Sequence, residues 1–297
     1  MGGTWCVCAL GSGPDQIEAR EQFRTSSPPE TIERIVAFFS AHRRPRALGI
    51  GSFGPVVLDR RRADWGHIIQ SPKPGWKQVP LAPLLAERLE LPVEVDTDVN
   101  AAAMAEQFWG AARGLTDICY LTVGTGIGAG IVCGGQPLHG LAHPEAGHIH
   151  VPHDRERDPF PGLCAHHGDC WEGLACGPAL TARWGCPAAE LPDDHPAWAL
   201  EAEYLAYGLL NITYTAAPQR IVLGGGVMQR ASLLGLVRTR LRELSGGYPV
   251  TPLLAEKINE YVVPPLLEDD AGVLGAIALA CTAAQLGYKE PLPPGAR

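Results

Sequence analysis

The chain has 297 residues, of which 46% are hydrophobic and 19% charged, the composition of an ordinary globular protein with one large or two medium domains. A formal net charge of -8 gives no indication of nucleic-acid binding and argues against attraction to an anionic membrane surface. No apolar run approaches the roughly 18–20 residues of a membrane-spanning helix, and no signal-peptide pattern opens the chain. We therefore expect a cytoplasmic protein without a nucleic-acid or membrane partner.

The first predicted elements alternate between strands and helices. An apolar strand follows the turn Gly2-Gly3-Thr4, a helix covers about residues 28–41, and a buried strand covers residues 47–51. The next residues complete a match to the GxGxxG pattern of dinucleotide-binding proteins. We reject that match because Pro55 follows Gly54 and no helix begins there. A tight turn beside a ligand is the preferred interpretation.

Polar residues come directly after the next predicted strand. Residues 93–95 form this strand, and Thr97-Asp98-Val99-Asn100 leads from it into a long helix over residues 101–112. Since ligands bind at the carboxyl ends of strands in open α/β sheets, Asp98 and Asn100 are candidate site residues. Asp98 as a plain N-cap of the helix is an equal alternative on local sequence alone.

A glycine-rich hairpin is predicted in the middle of the chain. The strand over residues 118–123 turns at Gly124-Thr125-Gly126 and returns, and the Gly-Thr tip repeats the Gly-Gly-Thr turn of the N-terminus, which suggests an internal duplication. Glycines let a backbone approach a phosphate closely. The GxxxxGK[ST] motif is absent and the chain has only four lysines, so a P-loop nucleoside triphosphatase is excluded.

A stretch rich in histidine and cysteine follows this hairpin. Cys164-x2-His167-x2-Cys170, with His148 upstream, has the residue types of a tetrahedral zinc site. The 9 cysteines are an odd number in a chain without export signals, which argues against a disulfide framework. His166 is an alternative ligand to His167, and ordinary loop histidines with free thiols are the alternative to zinc. Four protein ligands would make the zinc structural.

The C-terminal half is predicted to resume the alternation. Helices over residues 198–217 and 233–244 flank a strand that ends at Gly224-Gly225-Gly226, where a flat ligand could lie on the backbone. Small residues on the last helix, from residue 270, imply close packing on the first domain. The predicted domains are residues 1–112 with 271–297, and residues 113–270. A Pro-rich tail is predicted from residue 289.

With these motifs in place, the chain resembles the ROK family of sugar kinases, repressors and related proteins, over nearly its whole length. The motifs that carry the resemblance occur in order: Gly-Gly-Thr, Asp-x-Asn, Gly-Thr-Gly-Ile-Gly, Glu-x-Gly-His, Cys-x-Glu and Leu-Gly-Gly-Gly-Val. Bacterial ROK fructokinases are the most similar members, through Gly-Ser-Phe-Gly-Pro, Thr-Asp-Val-Asn and Cys-x2-His-Gly-Asp-Cys. The implied fold is α/β, two-domain and actin/hexokinase-like (ribonuclease H-like), with a cleft between the domains.

The resemblance also implies roles for individual residues. Asp98 would accept the proton of a sugar hydroxyl, with ATP and Mg2+ as cofactors, zinc in a structural role and a homodimer as the assembly. The implied zinc ligands are His148, Cys164, His167 and Cys170. The implied fructose-binding residues are Asn100, Glu145, His148, Glu172, Gly54 and Pro55. The implied ATP-binding residues are Gly3, Thr4, Thr125, Gly126, Gly177, Pro178, Gly224, Gly225 and Gly226.

One departure from the family pattern leaves alternatives open. Family members carry an acidic residue for Mg2+ two positions before Gly-Gly-Thr, a position that would precede Met1 here, and Trp5 replaces the usual lysine. The expected activity is ATP-dependent phosphorylation of D-fructose to fructose 6-phosphate. A broader hexose kinase and a non-catalytic sugar-binding protein are alternatives. A sugar-sensing repressor ranks lower, because no winged-helix domain precedes the kinase motif.

Overall fold

A computed structural model of the chain describes residues 1–71, 73–248, 254 and 256–286, so the tail predicted from residue 289 lies outside the described part. The chain forms two compact units. The first comprises Met1–Arg113, Pro137–His143 and the residues from Leu267 onward, and the second comprises Gly114–Gln136 and Pro144–Leu266. The predicted domain boundaries placed Pro137–His143 in the second domain, whereas this segment belongs to the first unit. No sequence pattern indicates that the chain crosses back there.

The strands of the two units form separate sheets. The described strands are β1 (Trp5–Gly11), β2 (Ile17–Arg24), β3 (Leu48–Ser52), β4 (Val93–Thr97), β5 (Ile118–Val123), β6 (Ile127–Cys133), β7 (Gln136–Pro137), β8 (Arg220–Gly224) and β9 (Val262–Val263). In the first unit, β1 pairs antiparallel with β2, and β3 pairs parallel with β4. In the second, the order is β7-β6-β5-β8-β9, with β5, β8 and β9 parallel and β6 antiparallel to β5.

The helices follow the predicted apolar spacing. They are α1 (Pro28–Ser40), α2 (Leu81–Leu89), α3 (Asp98–Phe108), α4 (Trp171–Ala175), α5 (Gly177–Trp184), α6 (Ala197–Ala216), α7 (Leu233–Leu244), α8 (Ile258–Tyr261) and α9 (Ala271–Leu286). In α1, Ile32, Ile35 and Phe39 recur every three to four residues and are buried together in the first core. None of the helices in the described part of the chain has the length and apolar character needed to span a bilayer.

Close backbone contacts fix the C-terminal helix α9 in the first unit. A Cβ atom added at Gly49 would lie 1.8 Å from the carbonyl oxygen of Ala276, and one added at Gly275 would lie 1.9 Å from that of Ala101. Any larger side chain at either glycine would push α9 away from β3 or α3. The small residues of the last helix therefore have the packing role that the sequence predicted for them.

The second unit is built around its five-stranded sheet and a core of aromatic side chains. Trp171, Trp198, Leu205 and Tyr261 are each at most 2% exposed. Gly208 of α6 faces Trp171 so closely that a Cβ atom there would lie 2.1 Å from the indole ring. The α4 residue Trp171 is thereby pressed onto α6, and this contact anchors the segment that carries the cysteine loop.

The N-terminal Gly-Gly-Thr differs from the hairpin tip that the sequence suggested. The Gly2 N–H donates to the carbonyl of Trp5 at 2.9 Å, so the segment is a turn that leads into β1. The reversal between β1 and β2 lies instead at residues 12–16, where the Ser12 N–H donates to the Gln16 carbonyl at 3.2 Å. The true Gly-Thr hairpin is the β5–β6 tip, where the Gly124 N–H donates to the Gly126 carbonyl at 2.9 Å.

Candidate active site

Asp98 lies at the first position of α3, where β4 ends. The N-cap is Thr97, whose hydroxyl oxygen accepts a hydrogen bond from the Asn100 N–H at 3.1 Å. The alternative in which Asp98 serves only as the N-cap is therefore wrong, because the neighbouring residue performs that task. The Asp98 carboxylate keeps partial exposure and accepts a hydrogen bond from the Val99 N–H through Oδ1 at 2.9 Å.

Burial raises the pKa of Asp98 above its ordinary value, against the opposing effects of the N-terminal ammonium group, the Val99 N–H and His143. Burial has this effect because a carboxylate loses hydration when protein atoms surround it. A carboxylate with a raised pKa binds a proton more strongly than a free aspartate. This is the property that a general base for a sugar hydroxyl requires.

A second carboxylate, Asp96, organises the residues around Asp98. Asp96 is 2% exposed and accepts hydrogen bonds from the Thr97 N–H at 2.7 Å and the Asn100 amide nitrogen at 2.7 Å through Oδ1. Its Oδ2 contacts His139 Nε2 at 2.9 Å. Asn100 is fully buried, with its amide held by Asp96, so the geometry favours a supporting role over direct sugar contact. No sequence pattern singles out Asp96 or His139.

Gly54 and Pro55 follow β3 in the same unit, joined by a cis peptide bond. A Cβ atom at Gly54 would lie 3.3 Å from His143 Nε2, so glycine lets this turn pass close to the imidazole. His143 itself is 9% exposed. The sequence signal for His143 is its place in the His-Pro-Glu-x-Gly-His run, which by itself assigns this histidine no role. Gly3 and Thr4 are exposed in the turn before β1.

In the second unit, the start of β6 brings two predicted sugar-binding segments together. The Ile127 N–H donates to Glu172 Oε2 at 2.9 Å, and a Cβ atom at Gly126 would lie 2.4 Å from that oxygen. Gly147 packs on the same strand, since a Cβ atom there would lie 2.0 Å from the Ile127 carbonyl oxygen. Glu172, the β5–β6 tip and the segment of exposed Glu145 and half-buried His148 therefore lie close to one another.

The predicted nucleotide-binding glycines also converge in the second unit. The Gly177 N–H, at the start of α5, donates to the Gly124 carbonyl at 2.7 Å. Gly225 has a φ of 98° and lies so close to β5 that a Cβ atom would be 2.4 Å from the Val123 carbonyl oxygen. Only glycine adopts this conformation at this contact without strain. Three backbone segments with little side-chain cover thus meet, which suits a ligand rich in phosphate oxygens.

The four predicted metal ligands lie together in the same unit. His148, Cys164, His167 and Cys170 each offer one donor atom, and all four atoms lie within 4.8 Å of one another. His148 Nδ1 lies 3.7 Å from Cys164 Sγ and 3.6 Å from Cys170 Sγ, and His167 Nδ1 lies 3.6 Å from Cys164 Sγ. A tetrahedral zinc ion with ordinary bond lengths separates nitrogen and sulfur ligands by about 3.6 Å. The donor set therefore fits zinc. Of the two neighbouring loop histidines, His167 and not His166 belongs to the set.

Comparison with known proteins agrees with these features. The model of the ROK family matches residues 1–283. The chain belongs to the ROK family. Its curated relatives include a putative fructokinase of Bacillus subtilis, 43% identical over 96% of this chain and 94% of the relative. A fructokinase of Zymomonas mobilis is 41% identical, with 95% of each chain covered. The predicted resemblance to bacterial ROK fructokinases is thus confirmed.

Solved structures of ROK proteins share the fold of this ROK chain. A ROK hexokinase from Thermus thermophilus is 27% identical, covers 97% of this chain and 98% of its own, and superposes with a TM-score of 0.77. A ROK glucokinase from Streptomyces griseus, solved with glucose and AMPPNP, is 25% identical with a TM-score of 0.73, over 95% and 97% of the two chains. The predicted α/β fold of the actin/hexokinase class is confirmed.

The site residues of this ROK protein are distributed over both units. The first unit carries Gly3, Thr4, Gly54, Pro55, Asp98 and Asn100, and the second carries Thr125, Gly126, Glu145, His148, Cys164, His167, Cys170, Glu172, Gly177, Pro178, Gly224, Gly225 and Gly226. Several of them lie near one another within each unit, whereas Gly3 and Thr4 are exposed in the turn before β1. Their roles toward a sugar, ATP or a metal stay predictions.

Proposed function

We propose that this ROK protein transfers the γ-phosphoryl group of Mg·ATP to D-fructose and yields fructose 6-phosphate. The choice of fructose is supported by the Bacillus subtilis and Zymomonas mobilis relatives, whose names state that sugar. The observation that carries the chemistry is the position of Asp98, a half-buried carboxylate with a raised pKa at the carboxyl end of a parallel strand. ATP is supported by the Streptomyces griseus glucokinase, which was solved in complex with the ATP analogue AMPPNP.

Asp98 would act as the general base. A carboxylate cannot ionise a sugar hydroxyl beforehand, but it can accept the proton as the bond to phosphorus forms, with a gain of about 10²–10⁴ in rate. The Val99 N–H holds Oδ1, and Asp96 holds Asn100 in the first turn of α3, so the carboxylate is fixed before the sugar arrives. A fixed acceptor lowers the entropic part of the barrier.

The glycine-rich segments of the second unit would hold the nucleotide. Thr125 and Gly126 at the β5–β6 tip are the proposed phosphate contacts, and the start of α5 with the loop after β8 would border the adenosine. Backbone N–H groups in tight turns favour anions such as phosphate. Glu145, His148 and Glu172 would take sugar hydroxyl groups, for which carboxylates and imidazoles are suitable partners.

Zinc is the proposed occupant of the His148, Cys164, His167 and Cys170 set. With four protein ligands the ion keeps no open position, so it would supply loop stability rather than a reacting group. The loop that it would hold leads directly into α4, which carries Glu172. His148 is proposed both as a zinc ligand and as part of the sugar-binding segment, and its Nδ1 faces the cysteines.

The activity is tested by turnover of purified protein with Mg·ATP on fructose, mannose and glucose. We expect kcat/KM for fructose to exceed the other values by at least about tenfold, the effect of roughly 1.4 kcal/mol. Comparable values for all three sugars would instead support the broader hexose kinase, the alternative that corresponds to the less similar hexokinase and glucokinase structures. Binding of fructose without any turnover would identify a non-catalytic sugar-binding protein.

The Asp98→Asn variant tests the general base. We expect kcat to fall by about 10²–10⁴, because the amide cannot accept the proton, while calorimetry still detects fructose binding. Asp15→Asn, at an exposed residue of the β1–β2 turn, is the matched control and should keep full activity. Near-normal kcat in Asp98→Asn refutes the assignment of the base.

Two further predictions have different grounds: the assembly follows from the resemblance, and the location follows from the sequence pattern at the start of the chain. The assembly is proposed to be a homodimer, which light scattering of the purified protein tests directly. The cytoplasm is the proposed location, which fractionation of the source cells tests.

A further inference from the structure

The segment Pro137–His143 places two histidines near the ends of neighbouring strands in the first unit. Its first histidine, His139, contacts Asp96 near the end of β4. Its second, His143, is buried against Gly54 in the turn after β3, with Nε2 3.3 Å and Cε1 3.5 Å from the position of an added Cβ atom. The proposed reaction assigns no role to His143.

The imidazole of His143 explains why glycine occupies position 54. Glycine is favoured where φ is positive, but Gly54 is not among the described glycines with a positive φ. A methyl group at this position would instead meet the His143 ring more closely than an ordinary van der Waals contact. The Val56 amide nitrogen, its other neighbour, would lie at 3.4 Å. The imidazole therefore limits the space that is available to this turn.

The residues on both sides of Gly54 are held by other contacts. On one side, the Phe53 ring packs edge-on against the buried ring of Trp76, with centroids 5.3 Å apart. On the other side, the Ile69 N–H donates to the Pro55 carbonyl at 2.9 Å. The backbone is thus fixed before and after Gly54, and the imidazole contacts the residue between these two points.

The same turn lies near Asp98. Strands β3 and β4 are parallel, with Ser52 opposite Thr97, so the chain leaves both strands at one edge of the sheet. A Cβ atom added at Gly51 would lie 3.6 Å from the Asp98 Cα atom. Burial raises the pKa of Asp98, and His143 is close enough to contribute a smaller effect in the opposite direction. The imidazole therefore lies near both the turn and the proposed general base.

We propose that His143 is a positioning residue for the sugar, which fixes the Gly54–Pro55 turn so that this turn and Asp98 keep one spacing when fructose binds. The inference rests on the proposed function, in which the turn contacts fructose. A site that is ordered before its ligand arrives loses less conformational entropy on binding. Without the imidazole, a space opens beside the turn, and the turn then takes up positions that do not fit the sugar. Loss of His143 should therefore weaken the binding of fructose more than that of ATP.

The His143→Ala variant removes the ring and leaves every proposed sugar contact in place. We expect KM for fructose, and the Kd for fructose from calorimetry, to rise by about fivefold or more, whereas KM for ATP should change by less than about twofold. A ring that merely supports the fold would lower the thermal midpoint and leave KM for fructose unchanged in the folded protein. That outcome would overturn the proposal.

The Gly54→Ala variant tests whether the effect depends on contact between the turn and His143. In the native chain the added methyl group displaces the turn from the ring, so KM for fructose should rise by about fivefold. In the His143→Ala chain the methyl group has the space that the ring leaves, so it should add less than about twofold. Gly272→Ala is the control glycine of the same unit, with no atom within 4 Å of its Cβ position, and should leave KM unchanged. Equal increases from Gly54→Ala in both chains would overturn the proposal.

These measurements separate the role of His143 from the kinase reaction. A native chain that binds fructose without turnover refutes the kinase reaction, and the Kd values then test the role of His143 by themselves. Native turnover of fructose with the same KM in His143→Ala refutes the role of His143 alone. A native chain that does not bind fructose overturns both proposals.

Discussion

Glu201 lies on α6 inside the second core, with 1% of its surface exposed and no hydrogen-bond partner for either carboxylate oxygen among the described residues. Burial raises its pKa well above the ordinary glutamate value, although Arg183 acts in the opposite direction. When folding raises the pKa of a group, the contribution of that group to stability is complete at pH values below its pKa in the unfolded chain. The contribution is lost as the pH rises through the pKa of the group in the folded chain. The folded chain therefore keeps Glu201 protonated, and ionisation of Glu201 at alkaline pH lowers the stability of the fold.

The Glu201→Gln variant should accordingly become more stable relative to the native chain as pH rises from 5 to 8. We expect its thermal midpoint to exceed the native one by about 2–4 °C at pH 8, the shift that roughly 1 kcal/mol produces, and to match it at pH 5. Glu203→Gln is the control of opposite sign. Burial alone would raise the pKa of Glu203, but Arg157 and Arg240 lower it overall, so its contribution is lost as pH falls. Loss of stability in Glu201→Gln at pH 8 would indicate an ionised pair with Arg183.

The contact between Asp96 and His139 also makes the stability of the fold depend on pH. The hydrogen bond to Asp96 raises the pKa of His139, against the effect of burial and with a smaller contribution from Glu94. The stability from this pair is therefore full below the ordinary histidine pKa and is lost as pH rises through the raised value. The His139 side chain is 41% exposed, so solvent screening keeps the effect small.

His139→Gln should lower the thermal midpoint at pH 5.5 and leave it nearly unchanged at pH 9. Because Asp96 also holds Asn100 beside Asp98, we expect kcat to fall roughly threefold to tenfold, with KM for ATP unchanged. His42→Gln, on a histidine after α1 whose Nδ1 contacts the Phe38 carbonyl at 2.7 Å, is the control for activity and should leave kcat unchanged. A midpoint difference that is the same at both pH values would exclude a charged His139–Asp96 pair.

At the scale of elements, the cysteine loop brings together the four donor residues that its sequence spacing predicts. His148 and Cys170 are held on adjacent backbones, since the Trp171 N–H donates to the Ile149 carbonyl at 2.8 Å. The loop between the two cysteines closes through paired backbone bonds between Cys164 and Gly168, at 3.0 and 2.9 Å. The backbone thus presents four donors toward one point, and the proposed zinc ion would supply the remaining attraction among them.

His167→Ala and His166→Ala separate a zinc ligand from an ordinary loop histidine. Both histidines are exposed, so neither substitution creates a cavity. We expect metal analysis to find close to one zinc per native chain and per His166→Ala chain, and much less in His167→Ala. The thermal midpoint of His167→Ala should fall by about 5 °C or more, because a structural zinc ion contributes folding energy. Equal zinc content in the two variants would refute the ligand assignment, and zinc-free native protein would refute the site.

At the scale of the whole molecule, the elements with strong local signals were predictable. Helix α7 matches its predicted bounds at Leu233 and Leu244, and the β5–β6 hairpin lies where Gly124–Gly126 placed it. The spacing of the cysteines predicted a ligand set because ligands of one metal ion tend to lie a few residues apart in the sequence. The Asp96–His139 contact joins residues 43 positions apart, and the return of Pro137–His143 to the first unit is likewise a tertiary event. Such contacts depend on how elements pack, which composition and periodicity do not encode.

The first unit is discontinuous in the chain, so its stability depends on the docking of α9 onto residues near the N-terminus. Gly275 and Gly272 lie on this helix, one against the Ala101 carbonyl and the other with no atom near its added Cβ. Gly275→Ala should lower the midpoint of the first unit by at least about 5 °C, because overpacking against rigid backbone costs roughly 1–3 kcal/mol. Gly272→Ala should be neutral or slightly stabilising, since alanine favours helix. Hydrogen exchange should report the loss of protection in β3 and not in β8, and equal loss in both strands would contradict the assignment of α9 to the first unit.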